Sequence, residues 1–326
     1  MTIFAATPAN IDAAAQIIRS GGLVAMPTET VYGLAADATN GRAVAAIYEV
    51  KGRPRFNPLI VHVGSLAQAA ELAEFGPLAW RLAGAFWPGP LTLVARARPG
   101  NGIHDLATAG LETVAIRMPA HPIARALIAA AGCPLAAPSA NKSGRISPTA
   151  ALHVADEFGF ELAMILDGGM CERGLESTIV ACGAAPAHED ASGEALVLLR
   201  PGAIAVADIE AVSGVRVERR AGDPDAPSAP GQLLSHYAPR AAVRLNAADV
   251  RAGEALLAFG PAVPDTDGVS INLSPSGDLV EAAQALFAAL RTLDASGAPT
   301  IAVMPIPEHG LGEGINDRLM RAAAPR

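Results

Sequence analysis

Apolar and polar positions along this chain repeat with two alternating periods. From Pro8 to Ser20 the apolar residues fall at Ile11, Ala14, Ile17 and Ile18, a spacing that predicts an amphipathic helix closed by Gly21 and Gly22. Leu23 to Met26 then reads as a short buried strand. The same reading predicts helices over Ala43 to Val50, Leu66 to Glu74 and Leu78 to Phe86. It predicts strands over Leu59 to Val63, Leu91 to Ala95, Thr113 to Met118, Leu135 to Ala137, Met164 to Asp167, Ser177 to Ala181 and Leu196 to Leu199. Several of these strands are apolar on both faces, as expected of a central sheet covered by helices. The first part of the chain is therefore a mixed α/β domain.

The pattern changes near residue 201. The stretch AGDPDAPSAPGQLLSHYAPR, residues 221 to 240, is too rich in proline and glycine for a regular element and reads as a linker. Beyond it, strands at Ala242 to Leu245, Ala255 to Phe259 and Thr300 to Met304, with helices at Leu279 to Leu293 and Ile315 to Ala324, outline a second, smaller α/β unit. That unit is Rossmann-like at most, because it lacks the GxGxxG turn that would place a dinucleotide on it. The division is residues 1–203, a linker over 204–240, and 241–326.

Composition agrees with two folded units: 326 residues, 51% hydrophobic and 17% charged. The N-terminus lacks a basic segment followed by an apolar core, and the longest apolar stretch, Ala126 to Pro138, is short of the roughly 20 residues of a membrane helix. A cytoplasmic protein is expected. Cys133, Cys171 and Cys182 are odd in number and have no CxxC spacing, which argues against a disulfide scaffold and a structural zinc site. The net charge of −8 disfavours a polyanion over the surface as a whole. Of 24 basic residues only Lys51 and Lys142 are lysine, and both fall in loops that read as ligand-binding.

Candidate chemistry collects at strand ends. In MPTETVYGL, Thr28, Glu29 and Thr30 offer hydroxyls and a carboxylate before Tyr32 and Gly33 turn the chain, which fits a ligand loop or a capped turn. In KGRPRFNPLIVHV, Lys51, Arg53 and Arg55 are crowded together and repel one another unless an anion such as phosphate sits among them. His62, in the following strand, is by default a packed histidine. In APSANKSGRISPT, residues 137 to 149, Ser139, Asn141, Ser143, Ser147 and Thr149 surround Gly144, and Ser147 is placed to cap a helix opening at Pro148. Arg117 lies in an otherwise apolar strand, TVAIRMP. It meets either a structural carboxylate or the carboxylate of a ligand.

Taken in order, PTETVYGL, KGRPRFNPLIVHV, TVAIRMP, APSANKSGRISPT, GLESTIV and LRPG resemble the YrdC-type L-threonylcarbamoyladenylate synthases. SHYAP and GLGEGINDRLMRAA resemble the longer, two-domain branch. The resemblance implies an α/β fold, with a twisted mixed sheet in the YrdC-like domain and a smaller Rossmann-like C-terminal domain. It implies a nucleotidyltransferase that converts L-threonine, bicarbonate and ATP, with Mg²⁺, to L-threonylcarbamoyladenylate and pyrophosphate, for tRNA modification completed by other proteins. Lys51 and Arg53 would be catalytic, stabilising charge on the phosphates. ATP would contact Arg53, Asn57, Thr113, Ser139, Asn141, Ser147 and Arg200, with His236 folding over it from the linker. L-Threonine would contact Thr30, His62, Arg117, the Ala137 backbone and Ser177. No resident metal site is implied. The linker reads APGQLLSHYAP where the family often has a methionine and a basic residue before its His-Tyr pair, so the pair folds over the nucleotide or simply docks on the surface.

Two other classes compete. A non-catalytic RNA-binding module is disfavoured by the acidic net charge and the few aromatics near basic residues. A carbamoyl-transfer enzyme of the hydrogenase-maturation type would need an acylphosphatase-like segment and zinc-finger cysteine pairs, which this sequence does not contain. The segment from Ala184 to Glu194 reads as a variable loop.

Overall fold

The computed structural model of the chain describes residues 2–183, 195–219, 229–231 and 234–325. The Ala184 to Glu194 loop and most of the linker between 220 and 233 lie outside the described residues.

The larger unit is built on one twelve-stranded sheet. From one edge its strands run Ile3–Ala5, Met164–Asp167, Val24–Met26, Gly33–Asp37, Leu135–Ala136, Ile60–His62, Thr113–Arg117, Leu91–Ala97, Thr178–Cys182, Leu196–Arg200 and Val217–Arg219, with Ala73–Glu74 pairing beside Leu91–Ala97. Parallel and antiparallel pairs are mixed, so this is a twisted α/β sheet of mixed type. The helix Pro8–Arg19 forms where the apolar spacing places it: the Thr7 hydroxyl caps it and Pro8 occupies its first turn. With helix Pro122–Ala131 it covers Val24, Met26, Leu135 and Leu166 on one part of the sheet.

The central strands separate their faces by alternation. Val61, Leu93, Val114, Ile116 and Val180 point into the main core. The alternate residues Ile60, Val94, Ala115 and Ile179 form a small apolar floor on the opposite face, covered by Ala229 from the linker. Continuing the same alternation, His62, Thr113, Arg117 and Ser177 belong to that second face.

The smaller unit is a four-stranded, wholly parallel sheet in the order Ala242–Arg244, Thr300–Val303, Ala255–Ala258, Ser270–Asn272, packed with helices Leu279–Ala295 and Gly312–Ala323. Its core, including Leu257, Leu286, Phe287, Leu290 and Ile301, is continuous with Leu175, Ala203 and Tyr237 from outside the unit.

The sequence pattern predicts most of these elements but misses the helices Pro122–Ala131, Ala151–Phe158 and Val206–Ser213 and the strands Ile3–Ala5, Gly33–Asp37, Val217–Arg219 and Ser270–Asn272. Three expectations need correction. The chain does not turn at Tyr32 and Gly33: Gly33 already pairs with Met26, and the reversal lies before it. The linker does not begin at 204, because Val206–Ser213 packs on helix Pro77–Phe86 and Val217–Arg219 joins the sheet parallel to Leu196–Arg200. At that edge Arg219 is paired with Glu313 of the C-terminal helix at 3.0 Å. Nor does Ser147 cap a helix. The following helix starts at Ala151 behind an uncapped Ala150, and Ser147 is fully buried and bonded elsewhere.

The two units meet at Gly202. A Cβ there would lie 2.4 Å from the Glu176 carbonyl oxygen and 2.6 Å from the Thr178 nitrogen, and on the other side Gly314 of the last helix approaches the Gly202 backbone. A side chain at Gly202 would collide with the Glu176–Thr178 backbone, and one at Gly314 would crowd Gly202. Gly202→Ala is expected to lower stability by about 1–3 kcal/mol through overpacking. The urea midpoint of the full chain measures it, and an unchanged midpoint would contradict the close packing.

Candidate active site

One cavity opens where the carboxyl ends of two parallel strands meet the connection after Met26 and the linker. Its wall includes Thr30, Arg53, His62, Arg117, Ala137, Ser139, Ser177, Arg200 and His236. Nine of the expected site residues are therefore brought together. Ile60–His62 and Thr113–Arg117 run parallel with His62 opposite Arg117, so both side chains emerge together at the strand ends, the usual ligand position in open α/β sheets. Thr28 organises the neighbouring turn: its hydroxyl donates to the Val31 carbonyl at 2.6 Å and accepts from the Thr30 and Val31 amides at 3.2 and 3.3 Å. The segment is both a capped turn and a cavity wall.

Arg117 meets a structural carboxylate. Its Nη2 lies 2.6 Å from Glu29 Oε1, Glu29 Oε2 accepts from the Ala120 amide at 3.0 Å, and both side chains are buried. Burial pushes the Glu29 carboxyl up, but the guanidinium beside it outweighs this and holds the acid below its usual range. Arg117 Nε donates to the Gly89 carbonyl, which leaves Nη1 without a hydrogen bond among the described residues. The two alternatives for Arg117 are compatible, since one edge of the fork is held by Glu29 and another remains for a ligand.

The Lys51 to Arg53 turn follows from local geometry. Helix Gly41–Lys51 ends at Gly52 in the left-handed region, φ 60°, which reverses the chain so that Arg53 folds back on Asn57. Arg53 Nε and Nη2 donate to the Asn57 carbonyl and side-chain oxygens at 3.1 and 2.7 Å, and Nη2 also donates to the Pro58 carbonyl at 2.8 Å. Burial lowers the Arg53 pKa to about 10, which still leaves it charged at neutral pH. Arg55 stays exposed.

Five expected residues do not line the cavity. Lys51 lies behind the wall: its ammonium donates to the Ser139 carbonyl at 2.6 Å and to that of Asn141, tying the KxR turn to the SxN loop. Burial first, and then Arg53, lower its pKa well below the usual value. Asn57 is fully buried under Arg53 with its Nδ2 unpartnered. Asn141 uses its Nδ2 on the Lys142 and Arg145 carbonyls, and its buried Oδ1 has no partner. Thr113 lies four positions up its strand from Arg117, at the far end of the apolar floor. Ser147 donates to Glu176 Oε1 at 2.5 Å.

Arg200 holds the far wall, donating through Nη2 to Ser177 O at 2.9 Å and to Ser177 Oγ at 3.1 Å. His236 is buried with Nδ1 unpartnered, its ring 4.0 Å from that of Tyr237. It stands in the cavity wall with Pro230 and Gly231 of the linker. Glu176 is not singled out by the sequence reading, and Glu29 and Tyr237 stand in motifs it does single out but receive no ligand contact there. For the two acids, a usable signal was a lone carboxylate in a motif with no other charge, PTETVYGL or GLESTIV, which calls for a cation as partner once it is buried.

Burial pushes the His62 pKa down to about 3, with Arg117 adding to the effect, and lowers that of His236 well below normal. Both imidazoles are neutral in the folded chain and titrate near 6.5 when unfolded. Their contribution to stability is complete above pH 6.5 and is lost as pH falls toward the folded values. Stability should therefore drop between pH 6 and 5 by about 1.4 kcal/mol per pH unit for each such histidine. Urea unfolding at pH 7, 6 and 5 tests this: His62→Gln should flatten the slope by one histidine's share, and a pH-independent midpoint would contradict it.

Comparison with known proteins places this arrangement. The Sua5/YciO/YrdC family model, described as telomere recombination, matches residues 16–201, and a threonylcarbamoyl-AMP synthase C-terminal domain model matches 204–324. The threonylcarbamoyl-AMP synthase of Bacillus subtilis is 40% identical over 96% of this chain and 92% of its own length. That of Pyrococcus abyssi is 41% identical over 96% and 94%. The crystal structure of P. abyssi Sua5 complexed with L-threonine superposes with a TM-score of 0.87 at 38% identity, covering 99% of this chain and 96% of that one. The chain belongs to the Sua5/YciO/YrdC family, in the two-domain form that carries the threonylcarbamoyl-AMP synthase C-terminal domain.

Proposed function

We propose that this chain joins L-threonine, bicarbonate and ATP to give L-threonylcarbamoyl-AMP and pyrophosphate, the activated intermediate for tRNA threonylcarbamoyladenosine synthesis. One observation carries the reading. The cavity sets a carboxylate-binding edge, Arg117 with neutral His62 and Ser177, beside a phosphate-binding edge, Arg53 and Arg200. An amino acid and a nucleotide triphosphate are the pair of anions that fits.

In this reading the threonine carboxylate takes Arg117 Nη1, and the threonine hydroxyl pairs with Thr30 or His62. A site built around that hydroxyl discriminates strongly against an analogue lacking it. The amine condenses with bicarbonate, releasing water, to give a carbamate whose oxygen attacks the α-phosphorus. The bond from the α-phosphorus to the α,β-bridging oxygen breaks, and the β- and γ-phosphates leave as pyrophosphate. Negative charge grows on the phosphoryl oxygens, and Arg53 and Arg200 are fixed beforehand by carbonyl contacts, so they need not reorganise as it develops. Lys51 contributes by fixing the Ser139 to Asn141 loop rather than by touching the phosphates. The nucleotide lies in the cavity past Ile60, with His236 in the facing wall.

Mg²⁺ is a companion of the triphosphate. No cluster of three or more His, Cys, Asp or Glu among the described residues is arranged to hold a metal, and Glu29 and Glu176 are both engaged by arginines. Phosphate oxygens and water would supply its ligands, as is common for Mg²⁺. No helix among the described residues is long and apolar enough to cross a membrane, and the reaction as proposed takes place in the cytoplasm. Transfer to tRNA falls to other proteins, in keeping with a net charge of −8.

The deciding measurement is exchange of labelled pyrophosphate into ATP. Exchange that needs both threonine and bicarbonate is expected, and no exchange alongside intact tRNA binding would overturn the proposal in favour of an RNA-binding module. Arg53→Ala should cut turnover by about 100- to 1,000-fold, the cost of losing one preorganised donor. Lys51→Ala should lose a comparable amount by releasing the loop; wild-type turnover in a folded Arg53→Ala protein would remove the central claim.

A further inference from the structure

Arg318 is fully buried on helix Gly312–Ala323 of the smaller unit, yet two of its partners, Glu176 and Pro201, lie in the larger one. Its Nε donates to Glu176 Oε2 at 2.8 Å and its Nη1 to the Pro201 carbonyl at 2.9 Å, while Asp317 Oδ2 accepts from Nη1 at 2.7 Å. The guanidinium sits 5.2 Å from the Tyr237 ring centroid. Glu176 lines the cavity, and its other oxygen accepts from Ser147 at 2.5 Å. Ser177, the next residue, carries the carbonyl and hydroxyl that hold Arg200. One turn of helix further, the Arg321 carbonyl accepts from the His236 amide at 3.2 Å.

We propose that Arg318 is a positioning residue of the active site: by fixing Glu176, it sets the GLEST loop on which Ser147, Ser177 and Arg200 depend, and so makes the cavity's phosphate edge conditional on a docked C-terminal unit. The same helix face holds Glu176 and the two residues of the linker that close the cavity. Docking of the smaller unit, seating of the GLEST loop and coverage by His236 are thus one event, not three. A buried carboxylate stripped of its cation cannot stay where it is without cost, so loss of Arg318 must displace Glu176 or recruit water to it. Among the described residues no cation of the larger unit is hydrogen-bonded to Glu176; its ion pair is with Arg318 of the smaller unit.

This inference rests on the proposed reaction only for its kinetic readout. The test uses the full chain with Arg318→Met, Arg318→Lys, Glu176→Gln and the Met/Gln double variant. Two measurements are made: kcat and KM for ATP in threonine- and bicarbonate-dependent pyrophosphate release, and amide hydrogen exchange without substrate. Arg318→Met and Glu176→Gln should each lower turnover by about ten- to a hundredfold, the scale of a small misplacement of binding groups. The double variant should be no worse than the worse single one, because both break one linkage. Arg318→Lys should recover part of the loss. Amides of residues 176–178 should exchange faster in Arg318→Met, while those of strand Ala255–Ala258 keep wild-type protection. Wild-type turnover together with unaltered exchange at 176–178 overturns the inference, as do fully additive losses in the double variant. If Arg318→Met does not fold, the isosteric Glu176→Gln decides by the same measurements. If the wild-type chain releases no pyrophosphate, the proposed reaction fails, whereas the exchange at 176–178 still supports or overturns the role of Arg318.

Discussion

Everything around the cavity answers to one requirement, the solvation of buried cations. Lys51, Arg53, Arg117, Arg200 and Arg318 are all less than a tenth exposed, and the buried carboxylates beside them are Glu29, Glu176 and Asp317. Arg117 and Arg318 take those acids. Lys51, Arg53 and Arg200 are held instead by main-chain carbonyls of Ser139, Asn141, Asn57, Pro58 and Ser177. A carbonyl stabilises a cation without cancelling it, so Arg53 and Arg200 keep a net positive field in a place water scarcely reaches, whereas burial loosens the hold of Lys51 on its proton. That field receives the anion in the proposed reaction. It also dictates loop shape, because each carbonyl must be aimed at its cation, and the 52–58, 137–145 and 174–178 segments have little freedom once the cations are placed.

The same requirement explains why two units behave as one. The smaller unit supplies Arg318 to a carboxylate of the larger, and its core is continuous with Leu175, Ala203 and Tyr237. Tyr237 is stacked on Phe287 at 5.6 Å and lies beneath Arg318, so the linker's closure over the cavity is built from contacts that belong to the C-terminal unit. The linker is a structural part of the site as well as a tether.

Much of the α/β framework was legible in the pattern, because Val24–Met26, Ile60–His62, Thr113–Arg117 and Met164–Asp167 are short apolar runs bounded by turn residues. Gly33–Asp37 was not, since its alanines carry little strand preference, and only pairing with Val24–Met26 decides it. Pro122–Ala131 reads as a featureless apolar stretch until His121 caps it and Gly132 ends it. Of the site, the cation-bearing loops were visible because charge in an apolar setting demands explanation. Their division of labour was not: whether a lysine faces a ligand or a carbonyl depends on a contact eighty-eight residues away, between Lys51 and Ser139. Glu176 was silent for a similar reason, as its partner is 142 residues distant.

The large sheet finishes at Val217–Arg219, which pairs with Leu196–Arg200 on one side and with no other strand among the described residues on the other. A strand at a sheet edge is where another chain can extend the sheet. Here the strand is only three residues long and carries Glu218 and Arg219, and the last helix pins Arg219 through Glu313. Shortness, charge and a neighbouring helix together deny a second molecule an edge to grow from. The piece of the chain that docks the smaller unit thus also guards the larger one against self-association into extended sheet.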